Sequence, residues 1–498
     1  MRYFIGFVCV LALALMGCSG TTGTGGSGGN GAVGGDGGTG GGGTGGDGGT
    51  GGVAGSGGTG GDGGIGGAPR CERDEDCDDK NECTTDVCEP SIGLCEHTSV
   101  RAGDSCASGR GECHGGVCNF VPVSVTYGEP ELVFDWTTDR CEDLHLPDQP
   151  ARFVRAADGE LVLFDANAPT YYVSHGVDFD SLAPDCDTPA LVSADLQTPE
   201  SYENWEWIWA VYRERTSWHA LIHNEFHDAV APTCRVGDPS PANPCWYNSI
   251  TYAVSTNDAR DFVKPMAHVV APPPRVWTPP DAQAGYYYVE GYLAPTNIVR
   301  GPEGYYYALI HAIPRWYADD YVAGSCSMRT LLLGDPSSWR AWNGTSFGLP
   351  LTSPYVAGSD VPACEFLNTP VGEMMHAVAS LTYNAYLDRY MAVGEWAQSL
   401  DAQTLICGFY FSLSTDLIHW SDNQLIARAH TGCEDTGEPG TPPMLEPVRV
   451  QYPSIIDHED STTNFERPGR TPYLYYTRHN GGLDRDLVRV PLTLALEE

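Results

Sequence analysis

WIWAVYRERTSWHALIHNE (residues 207–225), with SITYAVST (249–256) after it, sets the reading of the whole chain. An aromatic-rich strand runs into a short polar turn. A second strand returns and ends on charged and polar side chains, and a third strand follows. Apolar runs of this length, broken by turn residues, mark half-buried strands. The unit recurs. ARFVRAADGELVLFDA (151–166) precedes YYVSH (171–175), and APTNIVRGPEGYYYALIHA (294–312) precedes SCSMRTLLL (325–333). AVASLTYNAYLDRYMAVGE (377–395) precedes GFYFSLST (408–415), and QYPSIIDHEDSTTNFERPGRTPYLYYTRH (451–479) precedes DLVRVPL (486–492).

After the third strand, Asp258, Asp335 and Asp416 stand shortly before Phe262, Trp339 and Trp420. The carboxylate can close a turn while the ring packs against the neighbouring unit. Radial repetition with short, protected edges predicts an all-β domain over 125–498, a five-bladed β-propeller. An immunoglobulin-like array would not keep the turn and the polar strand end in register from copy to copy. All 12 Trp fall in this domain. Most of them fill the spaces between blades on this reading, though some could stack on sugar rings.

Upstream, Met1-Arg2 precedes an apolar run from Tyr3 to Met16, the layout of a secretory signal too short to cross a bilayer comfortably. The run ends Leu15-Met16-Gly17-Cys18. This resembles the lipobox of bacterial lipoproteins, which implies a signal over 1–18, lipidation of Cys18 and anchoring to a membrane. Ser19 in place of Asp leans toward the outer membrane or cell surface. Residues 19–68 are Gly with Thr, Ser and Asp, and cannot bury enough apolar area to order themselves. They are expected to form a tether with an r.m.s. reach of roughly 40 Å.

The chain has 18 Cys. Eight of them, from Cys71 to Cys118, lie in segment 69–120, which is too small to fold on its core alone and reads as a disulfide module of unassigned connectivity. It resembles the Asp/Asn-rich cysteine repeats of bacterial surface proteins. Asp74, Asp76, Asp78 and Asp79 could hold a structural Ca²⁺, but they lack EF-hand spacing, and solvated turns are the simpler reading. Zinc is disfavoured in an oxidising compartment without CxxC pairs, and no cofactor is implied. Eight more Cys, from Cys141 to Cys433, suggest structural disulfides, with Cys234–Cys245 a first guess.

The formal net charge is −38. This argues against nucleic acid, whose phosphates would be repelled, and makes a polyanionic glycan a second choice to a neutral one. A monomer is expected.

The blade pattern resembles the five-bladed propellers of glycoside hydrolase family 43 and its sucrose-cleaving relatives. DLIHWSD (416–422) and GYYYALIH (304–311) are similar to blade segments of that group. The resemblance implies a glycosidase with carboxylates at the mouth of the axial funnel. Asp148 stands where the family's base opens the first inner strand. Glu206 stands, in place of an Asp, where a second carboxylate orients substrate. The family's acid precedes the third inner strand, but Tyr292-Leu293-Ala294-Pro295-Thr296-Asn297 carries no acid and Glu290 lies too early. Glu225 and Glu395, at second-strand ends, are the substitutes considered.

Side chains at corresponding strand ends are read as substrate contacts: His223, Asn224, His227, Asn297, His311, Tyr452 and His479, with Asp165 and Arg478 beside them. On a strand, His223, Glu225 and His227 share a face, where they could transfer protons, bind hydroxyls or, less simply, hold a metal. Arg329 is expected to pair with an interblade Asp. Two other readings stay open: a glycan-binding surface protein without catalysis, and an adhesion module.

Overall fold

A computed structural model describes residues 71–497 apart from short internal stretches, the longest being 229–244 and 280–287. The signal, Cys18, the tether and Cys234 lie outside the described residues. Within the N-terminal module, the bonds are Cys71–Cys88, Cys77–Cys95, Cys83–Cys113 and Cys106–Cys118. The sulfurs form its small core, and Phe120 packs against both that core and the large domain. Asp74 and Asp76 accept backbone N–H groups there, from Cys88 and from Glu72 and Arg73. Cys141–Cys186, Cys326–Cys364 and Cys407–Cys433 are bonded in the large domain, and Cys245 is also in a disulfide.

The large domain is an all-β propeller whose strands group into five antiparallel units. Two strands open it, β1 (Val123–Tyr127) and β2 (Glu131–Phe134). Unit one is built on β3 (Arg152–Arg155) and β4 (Leu161–Phe164). Unit two is β5 (Trp205–Glu214), β6 (Ser217–His227) and β7 (Cys245–Ser255). Unit three has a first strand in two pieces, β8 (Tyr288–Leu293) and β9 (Val299–Arg300), paired with β10 (Tyr306–Tyr317) and then β11 (Asp320–Thr330). Unit four is β12 (Ala377–Asn384), β13 (Arg389–Ser399), β14 (Leu405–Ser414) and β15 (Gln424–His430). Unit five is β16 (Met444–Ile456), β17 (Tyr473–Gly481) and β18 (Asp484–Leu496). Strand β18 pairs with both β1 and β2, so the first strands of the domain complete the last unit. That pairing ties the start of the domain to its end and covers the edge that β18 would otherwise expose.

The aromatic after each third strand does pack between units. Trp420 is fully buried with Tyr307 and Leu309 of unit three, and Trp339 with Ala210 and Tyr252 of unit two. Phe262 meets Phe164 of unit one edge-on. Asp416 Oδ1 accepts the N–H groups of Ile418 and His419, the turn closure expected of it.

At the centre, the Arg152 guanidinium ties four units together. From unit one it donates to Trp209 O of unit two (3.2 Å), to Ser454 Oγ of unit five (3.2 Å) and to Ala379 O of unit four (2.6 Å). Asn297 of unit three clips unit four by bonding both the N–H and the C=O of Leu381. One end of the ring is capped by the loop between β16 and β17. Thr463 O accepts from Arg155 N, Asn464 exchanges bonds with the Arg213 backbone, Glu466 Oε2 accepts from Arg300 N, and Glu466 O accepts from Tyr383 N. The first hairpin turns of units one to four therefore surround this loop. The opposite strand ends, carrying Asp148, Asp165, Glu225, His311 and Glu395, gather at the other end of the ring.

Arg152→Met should destabilise the domain by at least about 3 kcal/mol in denaturant unfolding, since it strands carbonyl acceptors worth ~1–3 kcal/mol each. Arg152→Lys should recover little, because an ammonium cannot span three acceptors. Unchanged stability in both would mean that apolar packing alone holds the axis.

Candidate active site

Three inner strands carry a register shift near this end or along their length, Ile208/Ala210 in β5, Val378/Ser380 in β12 and Gln451/Ser454 in β16, and the second strand of unit three carries one at Ala312/Arg315, in β10 opposite β11. Bulges re-aim side chains, and they are common beside active sites. The bulge in β16 puts Tyr452 at φ 59, in the left-handed region that a tyrosine adopts only when held there.

Tyr452 then touches two carboxyl groups. Its phenol O–H donates to Asp148 Oδ1 (3.2 Å), and its backbone N–H donates to Glu395 Oε1 (3.0 Å). Its ring stands edge-on to Trp209, centroids 6.1 Å apart. Asp148 precedes β3, and its N–H donates to Asp165 O, at the end of β4. The Arg485 guanidinium, from β18, also donates to Asp148 Oδ1. Asp148, Glu395 and Glu225 are only 3%, 4% and 6% exposed, so little water screens them.

Burial is the main force on these groups. It raises the Asp148 carboxyl to about 6, against the opposing pull of Arg485, with the Glu225 charge adding to the rise. Glu395 is raised to about 7 by burial, opposed only by the Tyr452 N–H and the more distant Arg449 charge. Its Oε2 is buried and has no hydrogen-bond partner. Asp165 is likewise raised to about 7 by burial.

Beside this pair, Glu225 lies between two imidazoles. His227 Nε2 is 2.8 Å from Oε2 and His223 Nε2 is 3.5 Å from Oε1. His223 also meets Asn248 Oδ1 at 3.3 Å, and burial holds its ring below the usual imidazole range. Trp205, Trp207, Trp209 and Trp246 surround the two imidazoles at centroid distances of 4.9–5.7 Å. His479 sits on β17 opposite Arg485. Burial, with the Arg485 and Arg449 charges, keeps its ring neutral, lowered to about 2.

The sequence-derived residues therefore divide. Asp148, Glu225, Glu395, His223, His227 and Tyr452 come together, with His479 nearby. Glu206 and Asn224 do not join them. They pair with each other across β5 and β6 on the face opposite Glu225. There Glu206 binds Lys264 Nζ through both oxygens at 2.8 Å and Asn224 holds the Asn204 N–H and Ser249 Oγ. Asn297 serves the clip between units three and four. Glu290, on β8, lies 3.9 Å from Arg275, and its charge bears on the Tyr247 and Tyr355 phenols, which it helps to raise. His311 is buried on β10 opposite Leu293. Arg478 is bound to Asp486 at 2.8 Å. Arg329 lies over the rings of Tyr305 (4.0 Å) and Phe347 (4.3 Å) and bonds Tyr307 Oη, so aromatic faces take the place of the expected Asp.

Sequence reasoning missed Arg485 and Trp209. Arg485 lies on a third strand, in GLDRDLVR, where nothing in the pattern marks a residue that reaches the axis.

No protein-family model matches the chain, and no curated protein does. Solved structures similar to it include an endo-arabinase from Bacteroides thetaiotaomicron (11% identity, TM-score 0.37, 72% of this chain and 97% of that one). Others are an α-L-arabinanase from Cellvibrio cellulosa complexed with arabinohexaose (10%, 0.34, 69% and 91%) and a protein of unknown function from Dyadobacter fermentans (9%, 0.40, 74% and 99%). At this identity and overlap, the chemistry has to be read from the side chains.

The raised Glu395 carboxyl gives a stability test. A carboxyl with a folded pKa above its unfolded one contributes stability that is present at low pH and lost as pH rises through the folded value. The difference in melting temperature, Glu395→Gln minus native, should therefore grow in favour of the variant from about pH 4.5 to 7. A flat difference would mean that Glu395 titrates normally.

Proposed function

We propose that this end of the ring is the active site of a glycoside hydrolase, on a propeller with one blade per antiparallel unit. The observation that carries the reading is the pair Asp148 and Glu395, joined by one tyrosine and set in unequal surroundings. Asp148 faces a guanidinium and a phenol, which favour its ionised form. Glu395 has only one backbone N–H and a bare oxygen, too little to offset its burial, which favours the protonated form. Two carboxyl groups pushed apart in this way suit a base and an acid.

Glu395 would protonate the leaving glycosidic oxygen as that bond breaks. Asp148 would take a proton from the water whose oxygen bonds to the anomeric carbon. An inverting enzyme would hold the two carboxyl groups roughly 6.5–9.5 Å apart, leaving room for that water. The buried, unpartnered atoms near the pair include the donor Arg485 Nε and the acceptor Glu395 Oε2, besides His223 Nδ1 and His479 Nε2. Donors and acceptors in mixture suit neutral sugar hydroxyls, and the four tryptophans offer ring faces. We propose a neutral glycan with arabinose- or xylose-type linkages, in line with the sequence resemblance. The same features would serve a glycan-binding protein without turnover. The placing of Glu395 on the second strand of unit four, away from the family's acid position, favours that second reading.

We also propose a monomer, and the lipobox residues support its being held at the cell envelope by lipid on Cys18, with the Gly-rich segment as tether. Cys18→Ala should move the protein from the membrane fraction to the soluble one. Retention in the membrane would rule out Cys18 as the anchor.

The catalytic reading is tested on the purified protein with nitrophenyl glycosides and arabinan or xylan oligosaccharides. Asp148→Asn and Glu395→Gln should each lower kcat/KM by about 10²–10⁴-fold while Glu206→Gln does so much less. Glycans that raise the melting temperature but are not cleaved would favour the binding protein.

A further inference from the structure

We propose that Tyr452 is a positioning residue, a tyrosine held in a left-handed backbone so that its phenol fixes Asp148 and its amide fixes Glu395. The inference rests on the hydrolase reading of the pair and adds a role that sequence reasoning gave differently, as a substrate contact.

Three observations carry it. First, the backbone is bulged at this point: Gln451 pairs with Thr477 and Ser454 with Tyr475, leaving two residues of β16 for one of β17. Second, Tyr452 stands at φ 59, a conformation costing on the order of 1–3 kcal/mol for a residue with a Cβ and kept where the surroundings over-determine it. Third, both ends of the residue are committed to carboxyl groups. An extended residue at 452 would turn the N–H along the ladder and away from Glu395. The strain is therefore tied to the geometry of the pair. The ring is 8% exposed and packed on Trp209, which leaves the phenol little freedom to serve a substrate instead.

The two contacts are asymmetric. At Asp148 the phenol and Arg485 both donate to Oδ1, so among the described residues none bonds Oδ2, which stays available for a water. At Glu395 the amide takes Oε1 and leaves Oε2 bare. The charged and titratable groups facing the pair are Arg485 and His479 from unit five, Arg449 from β16 itself, Glu225 from unit two and Asp165 from unit one. None of these bonds both carboxyl groups.

The test separates this role from catalysis. Carboxyl ¹³C NMR titrations of the whole protein would be recorded for native, Tyr452→Phe and Tyr452→Gly forms, with Asp148→Asn and Glu395→Gln to assign the signals. Tyr452→Phe keeps the ring and the amide but removes the phenol. It should raise the Asp148 midpoint by roughly one pH unit, as expected for a lost hydrogen bond to a charged group, and leave Glu395 in place. Tyr452→Gly accepts the positive φ without strain, so it should keep the Glu395 midpoint while moving that of Asp148. If a substrate is cleaved, the acidic limb of kcat/KM should follow Asp148 in Tyr452→Phe. An unmoved Asp148 midpoint in Tyr452→Phe overturns the proposal, whether or not any glycan is cleaved. Lack of turnover with a moved midpoint refutes the hydrolase and leaves Tyr452 as the residue that sets the pair.

Discussion

One of the buried arginines, Arg152, joins more units of this domain than any other side chain among the described residues. Arg152 is 3% exposed, and its hydrogen-bond acceptors are neutral: two carbonyls of other units, one of its own and a serine hydroxyl. With no carboxylate bound to it, burial lowers its guanidinium to about 9. Such a charge is tolerated only if every N–H finds an oxygen in the plane of the fork. That condition holds the inner strands of units one, two, four and five together around one side chain. Unit three is held differently, by Asn297 on Leu381. The capping loop with Thr463 and Glu466 covers the far end, and the buried carboxyl groups gather at the other.

The unequal carboxyl groups follow from that placement. All lie at strand ends beside the axis and all lose water. What separates them is the unit that faces each one. Asp148 comes before the first strand of unit one and meets Arg485 from the last strand of unit five, across the seam where the ring closes. Glu395 sits on a second strand, one unit away, where the nearest donor is an amide. Glu225 finds two imidazoles on its own strand. The ring closure that β18 completes with β1 and β2 is therefore also what brings the cation to Asp148.

Much of the architecture was legible because it repeats. The Asp–aromatic spacing of Asp416 with Trp420 follows from a turn and an interface that each unit must solve, so it survives as a pattern. The polar end of HALIHNE also announced itself, since His223, Glu225 and His227 alternate on one strand. Glu206 misled for a related reason. Its place in NWEWIWAVY looked right by count, but one residue separates the two faces of a strand, and a neighbouring Lys264 claimed it. Arg152 and Arg485 were invisible. Each acts on partners tens to hundreds of residues away, and an arginine on a strand carries no local sign of what it will meet.

The cation composition shows the same division of labour. Of 27 cationic residues, Lys80 and Lys264 are the only lysines. Arg152 needs several acceptors in one plane, Arg489 binds Glu131, Asp180 and the Phe179 carbonyl together, and Arg329 is sandwiched by rings. Each task uses the flat fork of a guanidinium, which an ammonium cannot imitate. Lys264, by contrast, meets Glu206 and Glu203 as a point charge. In a chain so acidic, arginines are spent where geometry matters, between units and at the mouth. Arg485 is then best seen as one of these joints, turned to a second use because the joint it makes is with Asp148.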